Sequence, residues 1–96
     1  MAKGYWITLY RRIANPAALT EYAKLAGPAI EAGGGKILVR GVPVRAYESG
    51  LQERAVLIEF ESVKKAIETY ESARYQAAAK LLEGAVERDI RMVEGG

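Results

Sequence analysis

The sequence predicts an α+β domain in which a four-stranded antiparallel sheet carries two helices on one face. Three observations predict it. Apolar and polar side chains alternate in separate short segments, which is typical of half-buried strands. Two segments with apolar residues at helical spacing lie between them. Residues that favour helix starts stand directly before both helical segments, so the element boundaries are marked as well as their types.

The first half of the chain contains one strand and one helix. Residues 5–12 alternate and are rich in aromatic and β-branched side chains, which indicates a strand. Asn15 and Pro16 form a helix start, because Asn can cap free amides and Pro needs no amide donor at the first helical position. Pro28 is expected to kink or restart this helix, since its ring clashes with the preceding turn. Residues 33–35, three glycines, are expected to end it.

The middle of the chain is expected to form a β-hairpin. Residues 36–40 predict a second strand, and Pro43 predicts a bulge, a bend or an edge position because it lacks an amide donor. Residues 44–48 are expected to resume that strand. Residues 49–52 have turn chemistry, and residues 53–61 form the third and most apolar strand.

The last part of the chain predicts a second helical region and a final strand. Ser62 is expected to cap one helix and Ser72 its continuation, which ends near Gly84, while residues 88–94 alternate as a fourth strand. The order strand, helix, strand, strand, helix, strand is the ferredoxin-like βαββαβ pattern. The inner helix faces are predicted to contain Val63, Ala66, Ile67, Tyr70, Tyr75, Ala78, Ala79 and Leu82.

Composition limits both the size and the chemistry of the domain. Ninety-six residues are expected to form a single domain over residues 1–96. The chain contains no cysteine and no histidine, so thiolate chemistry and histidine bases are excluded, and we expect neither a metal nor a cofactor. The net charge of +2 is dispersed, and no apolar run approaches the length of a membrane span, so we expect a cytoplasmic protein without nucleic-acid or membrane partners.

Alternation assigns the strand residues to two faces of the sheet. The face under the helices is predicted to carry Ile37, Val39, Val56, Ile58, Phe60, Ile90 and Met92, and the opposite face Leu38, Arg40, Ala55, Leu57, Glu59, Arg91 and Val93. For the first strand both sets, one with Tyr5, Ile7 and Leu9 and one with Trp6, Thr8 and Tyr10, remain open. The second face is too apolar for a solvated sheet, so we expect a second copy to cover it in a homodimer. Arg40, Glu59 and Arg91, with Thr8 and Tyr10, are then expected to line a semi-polar cavity, or the charges to pair with one another.

The sequence also resembles a known family. The similarity runs in order over nearly the whole chain, and the segments that carry it are Tyr5-Trp6-Ile7, Asn15-Pro16, Tyr22, Pro28, Gly33-Gly34-Gly35-Lys36, Leu38-Val39-Arg40-Gly41, Glu48, Glu59-Phe60, Ser62, Ala66, Tyr70, Ser72 and Tyr75-Gln76. It is similar to the domain-of-unknown-function family 1330 (DUF1330) of the dimeric α/β-barrel superfamily. This resemblance implies a homodimeric barrel and permits many chemistries. The chain departs from the family pattern at Glu61, Thr69, Ala73, Arg74 and Leu82.

Six polar side chains are candidates for a site. The candidate catalytic residues are Glu59 as a base and Tyr75 as a hydrogen-bond donor, and the candidate ligand-binding residues are Arg40, Tyr22, Tyr70 and Glu48. The structural alternatives are an ion pair of Glu59 with Arg40 or Arg91, hairpin charge pairing for Glu48, and core packing for the tyrosines.

The sequence predicts a small, cofactor-free, homodimeric barrel that binds a small organic ligand in a cavity between sheet and helices. Its chemistry would be proton transfer or monooxygenase-like chemistry on a substrate that is itself reactive. The alternative is a non-catalytic structural or interaction module whose buried charges form closed ion pairs.

Overall fold

The computed structural model describes residues 2–96 and contains one antiparallel sheet. Its strands are β1 (Gly4–Ile13), β2 (Lys36–Gly41), β3 (Ala55–Phe60) and β4 (Val86–Glu94). Their order across the sheet is β2-β3-β1-β4, and every neighbouring pair is antiparallel. This is the ferredoxin-like arrangement, so the predicted fold class is confirmed.

The first helix, α1 (Pro16–Ala32), begins at the predicted Asn-Pro pair. The side chain of Asn15 accepts a hydrogen bond from the amide of Ala18 at 3.3 Å, and Pro16 occupies the first turn. Of the two outcomes predicted at Pro28, the restart is wrong, because the helix continues through it to Ala32. Pro28 is exposed, so water can hydrate the carbonyl group that loses its amide partner.

The second helical region consists of α2 (Val63–Glu71) and α3 (Ala73–Ala79), followed by a single 3-10 turn (Lys80–Leu82). Ser62 accepts a hydrogen bond from the amide of Lys65 at 3.2 Å, and Ser72 accepts one from the amide of Tyr75 at 3.2 Å. Both predicted caps are therefore confirmed. The cap at Ser72 also fixes the start of α3, which determines the direction in which Tyr75 enters the protein interior.

The helices cover one face of the sheet, and an aromatic cluster lies at the centre of the resulting core. Trp6 is 1% exposed and stacks on Phe60 with ring centroids 6.2 Å apart. The edge of its ring system meets Tyr75 at 4.8 Å and Tyr70 at 5.4 Å. Ile67, which was expected in this core, is 40% exposed, and Thr69 is buried on α2 in addition to Ala66. The core thus resolves the two alternatives for β1 in favour of the set that contains Trp6, Thr8 and Tyr10.

An irregularity in β2 changes the face assignment for the second half of that strand. Ile37 pairs with Ile58, but the register shifts at the next residue, so Val39 pairs with Leu57 and Arg40 with Val56. Directly opposed residues of antiparallel strands point to the same face. The predictions for Val39 and Arg40 were therefore wrong: Val39 lies on the face away from the helices, and Arg40 lies on the helix side.

The connection between β2 and β3 is a long loop rather than a strand and a tight hairpin. Residues 42–54 contain no strand, so the predicted continuation over residues 44–48 is wrong. A turn closes where the amide of Gly50 donates to the carbonyl of Tyr47 at 2.9 Å, and Glu48 adopts a positive φ of 53° there. The loop exposes apolar side chains, with Val44 97% exposed and Tyr47 72% exposed.

The face of the sheet away from the helices, called the open face below, is apolar in its centre. Leu57 of β3 lies there between Ile7 of β1 and Val39 of β2. Val39 is 52% exposed, and Leu9 and Val93 are 45% and 44% exposed. Among residues 2–96, no layer covers these side chains.

Candidate ligand cleft

A cleft opens between α1 and the helix side of the sheet. Its enclosed space is only about 60 Å³, and its mouth is open to solvent, so part of a small organic molecule could lie inside it while the rest stays at the mouth. Most of its wall is apolar or aromatic, and its cationic groups are arginines from β2, β4 and the segment before β3. The lining comprises Trp6, Thr8, Tyr10, Leu19, Tyr22, Ala23, Ala26, Gly27, Ile30, Ile37, Arg40, Arg54, Val56, Ile58 and Arg88.

Three tyrosine hydroxyl groups surround the guanidinium group of Arg88 at one end of the cleft. Arg88 donates from Nη2 to Tyr75 Oη at 3.0 Å, and from Nη1 to Tyr22 Oη at 3.3 Å and to Tyr10 Oη at 3.4 Å. The hydroxyl groups of Tyr22 and Tyr75 share a further hydrogen bond of 2.6 Å. The same guanidinium lies over the rings of Tyr22 and Tyr10, 5.2 Å and 5.8 Å from their centroids. We call Arg88, Tyr10, Tyr22 and Tyr75 the arginine–tyrosine cluster.

Local structure brings these four residues together from distant parts of the sequence. Arg88 and Tyr10 are direct partners in the β1–β4 ladder, so their side chains leave the sheet on the same face. Tyr22 enters from α1 and Tyr75 from the first turn of α3, where Ser72 caps the helix. Tyr75 is fully buried, and its ring meets that of Tyr22 edge to face at 6.0 Å.

The cluster carries one positive charge at neutral pH. Burial raises the pKa of Tyr75 well above its usual value of 10.0, and the neighbouring Tyr22 adds to the rise. Burial also raises the pKa of Tyr10, although the positive charges of Arg88 and Arg54 oppose that rise. The phenols of Tyr10 and Tyr75 therefore stay neutral at pH 7. Burial would lower the pKa of Arg88, but its tyrosine neighbours outweigh this effect and raise it, so the guanidinium stays charged.

Two further arginines line the cleft, and no carboxylate does. Arg54 lies directly before β3, and its carbonyl group accepts the amide of Tyr10 at 2.9 Å. Its Nε atom is buried and has no hydrogen-bond partner in the part of the chain that the structure describes. Arg40 lies where the cleft meets a neighbouring groove that also contains Glu31. Within residues 2–96, Arg40, Arg54 and Arg88 form no salt bridge.

The structure places three of the six predicted site residues at or beside this cleft. Tyr22 and Arg40 line it, and Tyr75, behind the lining, shares a hydrogen bond with the hydroxyl group of Tyr22. Tyr70 is half-buried beside Trp6 and faces a different groove, and Glu48 is exposed in the loop after β2.

Glu59 lies on the open face, on the opposite side of the sheet from Tyr75. It accepts a hydrogen bond from the hydroxyl group of Tyr5 at 3.0 Å. The expected pairing of Glu59 with Arg40 or Arg91 is absent among the described salt bridges, because Arg91 forms a two-pronged pair with Asp89, with both contacts at 3.0 Å. The expected cavity of Arg40, Glu59, Arg91, Thr8 and Tyr10 was therefore wrong, since its members lie on different faces.

The sequence interpretation missed Arg54 and Arg88, although a signal for both was present. Arg88 alternates with Ile90 and Met92, and Arg54 alternates with Val56 and Ile58, so each arginine shares a face with residues predicted to pack under the helices. Strand alternation alone thus places both guanidinium groups on the helix side. It does not show that three tyrosines converge on one of them.

Residues 2–96 contain neither a cluster suited to a metal ion nor a membrane-spanning helix. No group of three or more His, Cys, Asp and Glu side chains that could hold a metal ion occurs within residues 2–96. No helix in the same range is both long enough and apolar enough to cross a membrane.

Comparisons with known proteins give a family and a fold. The family model described as "Domain of unknown function (DUF1330)" matches residues 3–96. No curated protein matches the chain. A solved protein of unknown function from Rhodopseudomonas palustris is 21% identical, with a TM-score of 0.74, over 99% of this chain and 83% of that one.

Two further solved structures show the same fold at lower identity. A dimeric protein of unknown function with a ferredoxin-like fold, from Bacteroides fragilis, is 16% identical, with a TM-score of 0.64, over 96% of this chain and 95% of that one. A predicted antibiotic biosynthesis monooxygenase from Caulobacter crescentus is 18% identical, with a TM-score of 0.59, over 99% of this chain and 90% of that one.

Proposed function

Because the chain belongs to the DUF1330 family, whose description leaves function open, we propose a function from the cleft itself: the protein binds a small organic molecule between α1 and the sheet. One observation carries this proposal. The cleft combines an apolar, aromatic wall with a few convergent polar groups, the pattern typical of small-molecule sites. The cationic groups of that wall have no carboxylate partners among residues 2–96, which argues against the alternative of a module with closed ion pairs.

The chemistry that this site supports is proton transfer on a substrate that is already acidic. A carbonyl oxygen that gains negative charge as a neighbouring carbon loses its proton to solvent water can accept hydrogen bonds from the cleft-lining members of the arginine–tyrosine cluster, Arg88, Tyr22 and Tyr10. The resulting enolate can take a proton back from water, or it can give electrons to dioxygen and form a carbon–oxygen bond to it, which yields a peroxide on that carbon. The likeness to a predicted monooxygenase supports the oxygenase-like branch as a chemistry that this fold accommodates. Glu59 lies on the opposite face, so within one protomer the proposal does not use it. Tyr75 is fully buried and lies behind the cleft wall, so its role in the proposal is to position Tyr22 and Arg88 through its hydroxyl group.

Trp6 provides the test of binding. It is the only tryptophan, it lines the cleft, and its indole N–H donates to the hydroxyl group of Thr8 at 2.9 Å. Its single indole cross-peak in a ¹H–¹⁵N spectrum therefore reports on the cleft alone. We expect small naphthalene derivatives to shift this peak, and to stop shifting it in Gly27→Leu, which points a bulky side chain at the cleft from a position with open space around it. No shift at millimolar concentrations of any probe would contradict the proposal.

The proposed assembly is a homodimer in which the open faces of two sheets meet. The exposed apolar centre around Leu57 supports it, because sheets with one such face are normally covered. The dimeric neighbour from Bacteroides fragilis has the same fold. Light scattering at micromolar concentration is expected to give twice the chain mass, and Leu57→Lys is expected to reduce it to one chain. Val44→Lys, in the loop after β2, is the control that leaves the mass unchanged. A monomeric wild-type protein would refute the dimer.

A further inference from the structure

The cleft contains a concentration of positive charge that the fold does not balance. Arg88 is the β4 partner of Tyr10 and lies 3.4 Å from its hydroxyl group, while on the other side of β1 the carbonyl group of Arg54 accepts the amide of Tyr10 at 2.9 Å, and both arginines line the cleft. Two guanidinium groups thus flank one neutral side chain. Like charges in a partly buried site repel each other, and each charge also loses some of its hydration. Their proximity is therefore unfavourable unless a bound anion neutralises them.

The hydrogen-bonding capacity of these two arginines is also incompletely used. A guanidinium group has five N–H donors, and Arg88 directs three hydrogen bonds to hydroxyl groups, two of them long. The Nε of Arg54 is buried without a partner within residues 2–96. A buried donor without an acceptor costs about 1–3 kcal/mol, so natural proteins rarely retain one without a reason. An oxygen atom of a bound ligand would satisfy it.

Neighbouring acidic residues do not neutralise Arg54 and Arg88. Glu83 and Glu87 share a groove with Arg88 on its far side, but neither forms a salt bridge with it in the described chain. Arg40 is different, because it also lines a neighbouring groove that contains a carboxylate, that of Glu31. The unbalanced charge is therefore centred on Arg54, Arg88 and Tyr10.

We propose that Arg54 and Arg88, on either side of Tyr10, form an oxyanion subsite, and that the ligand of the cleft is an organic anion. Its charged group, a carboxylate or an enolate or phenolate oxygen, lies against the two guanidinium groups, whose planar forks suit such acceptors. Its apolar body lies along the wall formed by Trp6, Ala26 and Val56. This inference rests on the proposed function, because it names the class of molecule that the same cleft binds.

A series of probes with one ring system and three charges tests the inference. The probes are 1-naphthoate, 1-naphthalenemethanol and 1-naphthylmethylammonium, and isothermal titration calorimetry at pH 7.5 and low salt measures their affinities. We expect the carboxylate to bind at least tenfold more tightly than the alcohol and the ammonium compound not to bind. Adding salt is expected to weaken carboxylate binding and to leave alcohol binding nearly unchanged.

Two arginine variants locate the subsite. Arg54→Gln is expected to remove most of the preference for the carboxylate while the affinity for the alcohol stays within twofold. Its fold is expected to persist, because Arg54 has no salt bridge to lose. Arg45→Gln, an arginine of the loop after β2 outside the cleft lining, is the matched control and is expected to retain the full preference.

The outcomes separate the two proposals. Equal affinities for all three probes, with a shift of the Trp6 indole peak, would overturn the oxyanion subsite and leave small-molecule binding intact. The same preference in Arg54→Gln as in Arg45→Gln would also overturn the subsite. Absence of binding by every probe, without a shift of the Trp6 peak, would refute the proposed function and the subsite with it.

Discussion

Replacing Tyr75 by phenylalanine tests whether the arginine–tyrosine cluster stabilises the fold. The hydroxyl group of Tyr75 accepts a hydrogen bond from Arg88 at 3.0 Å and shares one of 2.6 Å with Tyr22. A hydrogen bond to a charged group contributes about 1.5–3 kcal/mol and a neutral one about 1 kcal/mol. Arg88 is only half-buried, so water can replace part of the lost interaction. We therefore expect Tyr75→Phe to lower the free energy of unfolding by about 2 kcal/mol.

Urea denaturation followed by far-UV circular dichroism measures this change at one fixed protein concentration, because dimerisation would couple stability to concentration. Tyr47→Phe makes the same chemical change at a side chain that is 72% exposed, and its effect is expected to stay within about 0.5 kcal/mol. A double-mutant cycle of Tyr75→Phe with Tyr22→Phe is expected to show coupling of about 1 kcal/mol. If Tyr75→Phe cost no more than Tyr47→Phe, the buried hydroxyl network would not contribute to stability and the argument would fail.

The remaining predictions concern alkaline pH and two glycines. Burial raises the pKa of Tyr75 above its unfolded value of 10.0, so the unfolded chain loses its proton first. The free energy of unfolding is expected to fall as pH rises above about 10, and to fall less steeply with pH in Tyr75→Phe. Urea titrations at several pH values measure this, and an equal dependence of the free energy on pH in the wild type and the variant would contradict the prediction. Gly27→Ala is expected to raise stability by about 0.5–1 kcal/mol, since its Cβ meets open space within a helix. Gly33→Ala is expected to lower stability by about 1–3 kcal/mol, since its Cβ would clash with the side chain of Thr69. Thermal unfolding of the two variants side by side checks the opposite signs.

Local signals in the sequence were sufficient for the element order and for the helix starts. Asn15, Ser62 and Ser72 act as caps because the chemistry of a helix start depends on only a few consecutive residues. The same local rules allowed a restart at Pro28, but the helix continues through this exposed position. Alternation likewise identified the strands and the core side of β3 and β4.

The site was less accessible to sequence reasoning because its geometry depends on how strands pair. The bulge near Leu38 turns Arg40 to the helix side, and nothing in the segment before the loop specifies that one residue falls out of register. The arginine–tyrosine cluster joins Tyr10, Tyr22, Tyr75 and Arg88 across up to 78 positions of sequence. Such a convergence follows from the packing of α1 and α3 on the sheet and not from any local pattern.

Arginines on the two faces of the sheet have different partners, carboxylates on one face and hydroxyl groups on the other. This contrast supports an anionic ligand. On the open face of β4, Asp89 neutralises Arg91 through two contacts and lies 3.9 Å from Arg11. On the helix side of the same strand, the side-chain hydrogen bonds of Arg88 within residues 2–96 go to tyrosine hydroxyl groups, and it forms no salt bridge there. The chain contains 12 acidic residues, so it does not lack carboxylates with which to balance the cleft. Because hydrogen-bonded phenols hold the Arg88 guanidinium in place without cancelling its charge, the cleft keeps that charge available to an incoming oxyanion.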